Sequence, residues 1–406
     1  MSSTKVIIVG AGIAGPVLGI FLKMQGYSPI IYERLSGPTE AGLSLAMQPN
    51  GLRVLSLIPG LVEKIPGQTP NRNIHCSSLD GKEEVLVDDD ISPPVLTSRF
   101  GFPLIGVGRT ELHDLLVQTV EGYGVEVRWG HQAIAFEQHA NEVQVKFANE
   151  VTDTASFVVG CDGLHSNTRI ALFGREKADF TGLVQCGGLS PTPPALQGKL
   201  AFVNYYGDGV HLVTYPVAVD KYSWAMTTRE SEAKEDWRSR STAEQDEIKR
   251  AGLSTWGFGA SEIVKTAQKI VKYGLYDRPE LKSWYKGRIV LLGDAAHPTS
   301  PHLGQGANQA FEDIYHLVRL LKKYNSSASQ PSTEVLDLIF SEYKDIRLPR
   351  TAELVRRARQ QGENRVVHGI EACIKRNEMV KAAFGDEGTR KGYEELLSGP
   401  FRESDI

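Results

Sequence analysis

Val6-Ile7-Ile8-Val9-Gly10-Ala11-Gly12-Ile13-Ala14-Gly15 opens a run that continues through an apolar helical pattern to Pro29-Ile30-Ile31-Tyr32-Glu33. Strand, glycine turn, helix, strand and terminal acid follow one another as in a dinucleotide-binding βαβ unit. Gly10 permits the tight turn, Gly12 admits a pyrophosphate close to the backbone, and Gly15 lets the helix pack on the strand. The free N–H groups where the helix begins, around Ala14, favour negative charge. Glu33 is placed to take both hydroxyls of a ribose, with Arg34 next to it. A buried turn with no ligand carries the same glycines, so this stretch alone does not choose one. The uncharged run 6–22 also invites a signal peptide or a membrane span. Its glycines and Pro16 interrupt that pattern, and Pro16 suits a first helical turn.

The chain has 406 residues, 41% apolar and 23% charged, with a formal net charge of −4. That length suggests two or three structural units around a large core. The charge argues against nucleic acid as a partner. Cys76, Cys161, Cys186 and Cys373 are scattered, with no metal-ligand spacing, which points to a reducing compartment. The final residues are polar, so no tail anchor is expected. A cytoplasmic protein with no membrane or metal partner, monomeric or weakly dimeric, is the reading.

Outward from the opening unit, Asn50 is a candidate cap for a helix over residues 51–57. Residues 74–87 read as a hairpin turning at Asp80-Gly81, and residues 88–94 as a loop. Thr110 offers a cap for the next helix. Arg109, just before it, is on composition a solvated arginine rather than a ligand contact. Residues 125–159 alternate as a β-meander, ending in an apolar strand that delivers Cys161-Asp162-Gly163 and a Ser166-capped helix. From residue 180 to 229 short strands repeat, consistent with a separate antiparallel sheet. Residues 230–250 are highly charged, as in a solvated helix. Residues 289–292 form another buried strand leading to Gly293-Asp294. Residues 304–324 read as a helix burying Ala310, Ile314, Leu317 and Leu321. A Ser-rich surface loop over 325–333 and long Arg/Glu-faced helices over 334–365 follow.

Three stretches then form one set: the glycine turn with Glu33; Cys161-Asp162-Gly163-Leu164-His165-Ser166-Asn167-Thr168-Arg169; and Gly293-Asp294-Ala295-Ala296-His297-Pro298-Thr299-Ser300-Pro301-His302-Leu303-Gly304-Gln305-Gly306-Ala307-Asn308. Together they resemble the single-component FAD-dependent monooxygenases built on the para-hydroxybenzoate hydroxylase fold, over nearly the whole chain. The resemblance implies an α/β fold: a Rossmann-like FAD-binding domain with an inserted antiparallel β-sheet substrate domain and C-terminal helices. The corresponding boundaries are 1–73, 100–178 and 285–345 for the FAD-binding domain, 74–99 and 179–284 for the substrate sheet, and 346–406 for the helical end.

It also implies FAD contacts at Gly10, Gly12, Ala14, Gly15, Glu33, Arg34, Arg109, Asp162, Asp294, Pro301, Gly304, Gly306 and Asn308, with Gln48 a weaker candidate. Asp294 would serve the ribityl or pyrophosphate region. Pro301 would lie beside the isoalloxazine, and Gly304, Gly306 and Asn308 would line its pyrimidine side. Arg109 changes from a solvated residue to an FAD contact on this match. The chain departs from the family at Cys161, where a small alanine is common, and at Ile314. It also has Gly187 where many relatives carry an arginine that steadies an oxyanion.

The chemistry implied is NAD(P)H-consuming hydroxylation or epoxidation of an aromatic or polycyclic small molecule by O2 through a flavin hydroperoxide. NAD(P)H would visit transiently. No catalytic residue is assigned: His297 invites a general-base role, but a structural one suits its motif better. Alternation puts Leu212, Thr214 and Pro216 on one face of a strand, and Tyr222, Trp224 and Met226 on one face of the next. Tyr206, Thr214 and Trp224 are therefore candidate substrate walls, with ordinary packing the competing role. No arginine shares the Thr214 face, which disfavours a carboxylate clamp there. A flavin dehydrogenase or reductase, or a non-catalytic flavin-binding protein, is the alternative, because the FAD motifs do not report on oxygen.

Overall fold

The computed structural model describes residues 4–39, 42–231, 238–239, 245–246, 248–249, 253 and 256–400. Lys5–Val9 is central in a six-stranded sheet, parallel to Ser28–Tyr32 on one side and Phe157–Gly160 on the other. Glu126–Arg128 and Ile289–Leu291 extend the two sides in parallel, and Tyr285–Lys286 closes one edge antiparallel. Val6, Ile7 and Ile8 are fully buried, as a parallel strand covered on both faces requires. The helices Ala14–Met24, Arg109–Gly122 and Gly306–Tyr324 pack around this sheet.

An eight-stranded sheet is ordered Arg238–Ser239, Lys269–Asp277, Asp179–Pro191, Lys221–Arg229, Val210–Ala218, Ala201–Tyr206, Arg72–Leu79, Lys82–Asp89. Its neighbours are antiparallel except Ala201–Tyr206 with Arg72–Leu79. One face packs Leu212, Tyr222 and Trp224 against Ile263 and Val264 of the helix Ala260–Lys265. The other meets the cofactor unit through a small two-stranded sheet, Ser44–Met47 with Ile105–Gly108. Ala133–Gln138, Val143–Phe147 and Thr152–Ala155 form a separate meander. Among the described residues no helix is long and apolar enough to cross a membrane.

Several local expectations change. The hairpin is longer, Arg72–Leu79 with Lys82–Asp89, and Asp80 and Gly81 take the left-handed φ of 50° and 70° that a two-residue turn needs. Residues 88–94 are not a loop. Asp88 and Asp89 finish the strand, and Asp89 accepts from the Ile91 and Ser92 N–H groups, 3.0 Å each, ahead of the helix Ser92–Phe100. Pro93 and Pro94 are tolerated in the first turn, where N–H groups need no helical partner. Neither Asn50 nor Thr110 is a cap, because the helices Pro49–Leu55 and Arg109–Gly122 begin earlier, after Gln48 and Gly108.

Glu126–Arg128 leaves the meander to join the parallel sheet. Lys269–Asp277 is an unforeseen strand whose lysines mask its pattern. The charged stretch 230–250 falls largely outside the described residues. The 325–333 loop is tied down: Asn325 Nδ2 donates to Tyr27 Oη at 2.9 Å and Thr4 Oγ1 to the Ala328 carbonyl at 2.7 Å. Thr333–Arg365 is one continuous helix despite Pro349.

A buried ion network joins these units. Arg347 Nη1 donates to Glu312 at 2.6 Å and its Nε to Asp313 at 2.7 Å, with all three side chains at most 1% exposed. Arg350 Nε donates to Glu312 at 2.7 Å, and Asn50 Nδ2 adds a bond to the same carboxylate, also 2.7 Å. Asp313 accepts from His297 Nε2 at 2.6 Å and from the Gly293 N–H at 2.9 Å. Burial alone would raise both carboxyls. Arg347 with Arg350 and Asn50 at Glu312, and His297 with Arg347 at Asp313, hold each down at about 2.

Both values lie below the ~4 of an unfolded carboxyl. The stabilisation is therefore complete above about pH 5 and is lost as pH falls toward 2. Arg347→Met, which leaves two buried carboxylates underpaired, is expected to cost about 3–5 kcal/mol in urea unfolding and to move acid unfolding to higher pH. A loss under about 1 kcal/mol would show that the network contributes little.

Candidate functional site

The glycines of the opening turn do three different things. At Gly10, φ is 105° and a Cβ would lie 2.5 Å from the Cys161 carbonyl, so only glycine fits between the two strands. At Gly15 a Cβ would meet the Gly10 carbonyl at 2.0 Å, so the helix sits directly on the turn. At Gly12 a Cβ would meet nothing within 4 Å and would project into an open cleft. Glu33 secures the turn from the second strand. Its Oε2 accepts from the Ala11 N–H at 2.8 Å and its Oε1 from Leu35 N at 3.0 Å. His113 Nε2 holds the Ala11 carbonyl at 2.6 Å from behind.

The far side of the cleft is built from the third motif. The Asp294 side chain is exposed at the cleft, with enough protein around its carboxyl to perturb it. Burial therefore raises its carboxyl above the usual range, although His297 and Arg109 pull the other way. Arg109 lies within electrostatic reach of both Asp294 and Glu33, and its side chain runs where a Cβ at Gly42 (φ 95°) would stand. Gly306 is beside Asp294: a Cβ there would be 3.8 Å from Oδ1. Gly304 adopts φ 63° and lies against Gln48 Nε2. The helices beginning at Ala14 and Gly306 have no side-chain cap, so their first N–H groups are available to an anion.

Not every candidate faces the cleft. Asn308 spends its amide internally: Nδ2 donates to the Ala46 and Gly304 carbonyls at 3.0 and 2.8 Å, and Oδ1 accepts from Gln48 N at 2.9 Å. Gln48 likewise donates to the Leu303 carbonyl at 2.9 Å and accepts from Gln305 at 2.6 Å. Both shape the Gly304 turn through their side chains. The Asp162 carboxylate is taken up by Ser166 and Thr168, bonding the Thr168 N–H at 2.9 Å at the start of the helix Asn167–Phe173. Its Cα nonetheless borders Gly10. Arg34 is exposed beyond Glu33, and Pro301 is exposed at the start of the Pro301–Leu303 turn. His297 is bound to Asp313, the structural role favoured for it.

An open Gly12, two uncapped helix starts, an arginine between two acids and a left-handed glycine turn suit a long dinucleotide with a flat ring at one end. The family model described as FAD binding domain matches residues 3–358. This chain belongs to that FAD-binding family. As a member it is an FAD-dependent monooxygenase. It is 30% identical over 386 residues to 3-amino-4-hydroxybenzoate 2-monooxygenase of Streptomyces cremeus, covering 93% of this chain and 92% of that one. It is 28% identical over 357 residues, 87% and 90% of the two chains, to 6-hydroxynicotinate 3-monooxygenase of Pseudomonas fluorescens. Klebsiella pneumoniae HpxO, solved with FAD and uric acid, shares the fold with TM-score 0.81 at 22% identity, covering 98% and 97% of the chains.

The monooxygenase turns Thr214 and Trp224 away from this cleft. Both are 0% exposed in the sheet's other core, where Trp224 Nε1 donates to Ser190 at 3.0 Å. Alternation shows which residues share a face, but both faces of this sheet are covered, so it could not say which one meets the flavin unit. The residues one step out of phase do so: Tyr215 Oη is 2.7 Å from Ser44 Oγ, and Ser44 Oγ donates to Ser223 at 2.6 Å.

On that face Ser77, Tyr206, His211, Thr227, Gln185 and Tyr273 stand opposite one another across six strands. Tyr206, a candidate wall, shares the face of Tyr215 and packs against His75, His211 and Arg376. The rest of the row was missed, and its signal was a polar residue on the same face of each of six adjacent strands. Gly187 also lies on this face. A Cβ there would meet Leu43 Cδ1 at 2.6 Å, so an arginine could enter only by displacing Leu43.

The two glycines that bracket the turn separate binding from folding. Gly12→Val should give a folded protein whose flavin affinity falls at least about 100-fold, because its side chain fills only the cleft. Gly15→Val should cost stability itself, measured by thermal unfolding without added flavin. Equal flavin retention in Gly12→Val and wild type would remove Gly12 from the cofactor site.

Proposed function

We propose that this enzyme hydroxylates a small aromatic ring held between the flavin and the Tyr206–Tyr273 row. The observation that carries the reading is that row: Tyr206, His211, Thr227 and Gln185 are each at most 7% exposed, yet every one is polar. A buried sheet face is ordinarily apolar, and buried polar groups are costly without partners. His211 is the clearest case. Its Nε2 lies 3.1 Å from Asn204 Oδ1, which makes Nε2 the protonated nitrogen, and its Nδ1 is buried with no partner. Burial and the nearby Arg365 lower its basicity far below the ordinary range, so the ring is neutral. A neutral imidazole presenting a free lone pair accepts a hydrogen bond from a ring hydroxyl and raises electron density on the ring.

Bound FAD supplies the redox chemistry, passing electrons from NAD(P)H to O2. The protein's residues orient the ring and keep the site dry. Thr227, Gln185 and Tyr273 form a hydrogen-bonded chain across three strands, with the Tyr273 hydroxyl donating to Gln185. Burial raises the Tyr273 hydroxyl, so it stays protonated and remains a donor. The relatives whose names specify aminohydroxybenzoate, hydroxynicotinate and 3-hydroxybenzoate as substrates support a hydroxylated ring here as well. Pro301, Gly304 and Gly306 border the flavin ring in this reading, with Glu33 at the adenosine ribose. Residues 74–99 and 179–284 are the substrate unit in this reading.

Turnover with 18O2 and a panel of hydroxylated aromatic acids and phenols tests it. One labelled oxygen per product is expected, with one NAD(P)H consumed for each. His211→Phe should lower kcat/KM about 100-fold while flavin content is unchanged. Substrate oxidation with no label in the product would establish a dehydrogenase instead.

A further inference from the structure

We infer that Arg365, from the last turn of the Thr333–Arg365 helix, is the specificity residue of this site and offers its guanidinium to an anionic group, a carboxylate by preference, on the substrate. The inference rests on the aromatic-hydroxylase reading above. Among the described residues, Arg347, Arg350, Arg169 and Arg229 each bond a carboxylate. Arg365 bonds none. Its hydrogen bond is from Nη1 to His302 Nδ1, at 3.5 Å, and its Nε is buried without a partner. A cation in the last turn of a helix is favoured by the helix dipole, but an exposed side chain satisfies that equally well. This one turns inward, where its charge acts on His75, Tyr206, His211 and His302. Its bond to His302, and the bond of Val367 to Gly209 in the turn joining the Tyr206 and His211 strands, set it beside that end of the polar row.

The surroundings hold the guanidinium there without neutralising it. His302, in the turn after Pro301, is buried, and burial with Arg365 beside it lowers it to about 3, so it accepts a hydrogen bond but carries no charge. Gly362 makes room for the His302 ring: a Cβ at that position would be 2.5 Å from the ring edge. Glu363 pairs with Arg229 on the sheet. Gly209 N donates to the Val367 carbonyl at 2.9 Å and Gly369 N to Asp208 at 2.7 Å, clamping the helix end to the 207–209 turn. Arg376, the other cation nearby, bonds Gly207 and Asn377 and stacks 5.0 Å over Tyr206; its Nη2 is also buried without a partner, but its guanidinium is taken up against the ring, whereas that of Arg365 lies against His302.

The row itself contributes no carboxylate. A half-buried guanidinium whose Nε is buried and unpartnered lacks a counter-charge here, and its planar fork matches a carboxylate with two parallel hydrogen bonds. Arg229, two residues from Thr227 on the same strand face, is neutralised by Glu363, so the cation without a carboxylate partner comes from the helix.

The test titrates FAD-loaded enzyme with hydroxybenzoates and with the matching neutral hydroxybenzamides, following the flavin absorbance change. Wild type should bind the acids at least about 30-fold more tightly than the amides. Arg365→Gln should abolish that preference by weakening the acids, and leave amide affinity within about threefold. Arg365→Lys should retain part of it, and serves alone if the glutamine variant does not hold flavin. Equal binding of acids and amides by wild type, or an undiminished preference in either variant, would overturn the assignment. Binding of neither class would overturn the aromatic-hydroxylase reading itself.

Discussion

The contact on which the rest depends is Arg347 between Glu312 and Asp313. Three ionised groups are buried together where neither carboxylate could stand alone. Asp313 reaches His297 and the Gly293 N–H, which sets the turn carrying Asp294. Glu312 reaches Asn50, whose helix follows Gln48, and Gln48 holds the Gly304 turn. The turns carrying Asp294 and Gly304 are therefore fastened to the same charge cluster. Arg347 also locks the long helix in register, and Arg365 lies roughly 27 Å further along it at 1.5 Å per residue. One continuous helix thus links the ion cluster to Arg365.

Much of the cofactor half was legible in the sequence because its constraints are local. Gly10 is required by its own φ of 105° as well as by the Cys161 carbonyl, Gly15 by the Gly10 carbonyl in the same turn, and Glu33 by the Ala11 N–H it holds. The substrate half was less legible because it is made by tertiary choices. The phase of alternation put Thr214 and Trp224 together correctly, but only packing against the helix Ala260–Lys265 decides that their face is the far one. Asp162 and Asn308 were recognised as motif residues, yet their side chains are occupied by Thr168, Ala46 and Gly304. Arg365 could not be distinguished from its surface neighbours, since an Arg-rich helix reads as solvated until one of its arginines is seen turning inward.

The division of labour explains how one fold can serve different rings. The flavin frame is built of glycines, backbone and one ion cluster, with little freedom to vary. The facing row presents a hydroxyl, an imidazole, an amide and a phenol, each replaceable without disturbing the sheet hydrogen bonds. Gly187 illustrates the coupling between them. Its lack of a side chain lets Leu43 press against the sheet, where a Cβ would meet Leu43 Cδ1 at 2.6 Å.

The most direct test is a crystal structure of the FAD-loaded enzyme with a bound hydroxylated aromatic acid. The ring should lie between the Pro301–Leu303 turn and the Tyr206–Tyr273 row, with a ring hydroxyl within hydrogen-bonding distance of His211 Nδ1. A ring bound on the Trp224 face, or outside the sheet altogether, would contradict the placement of the active site.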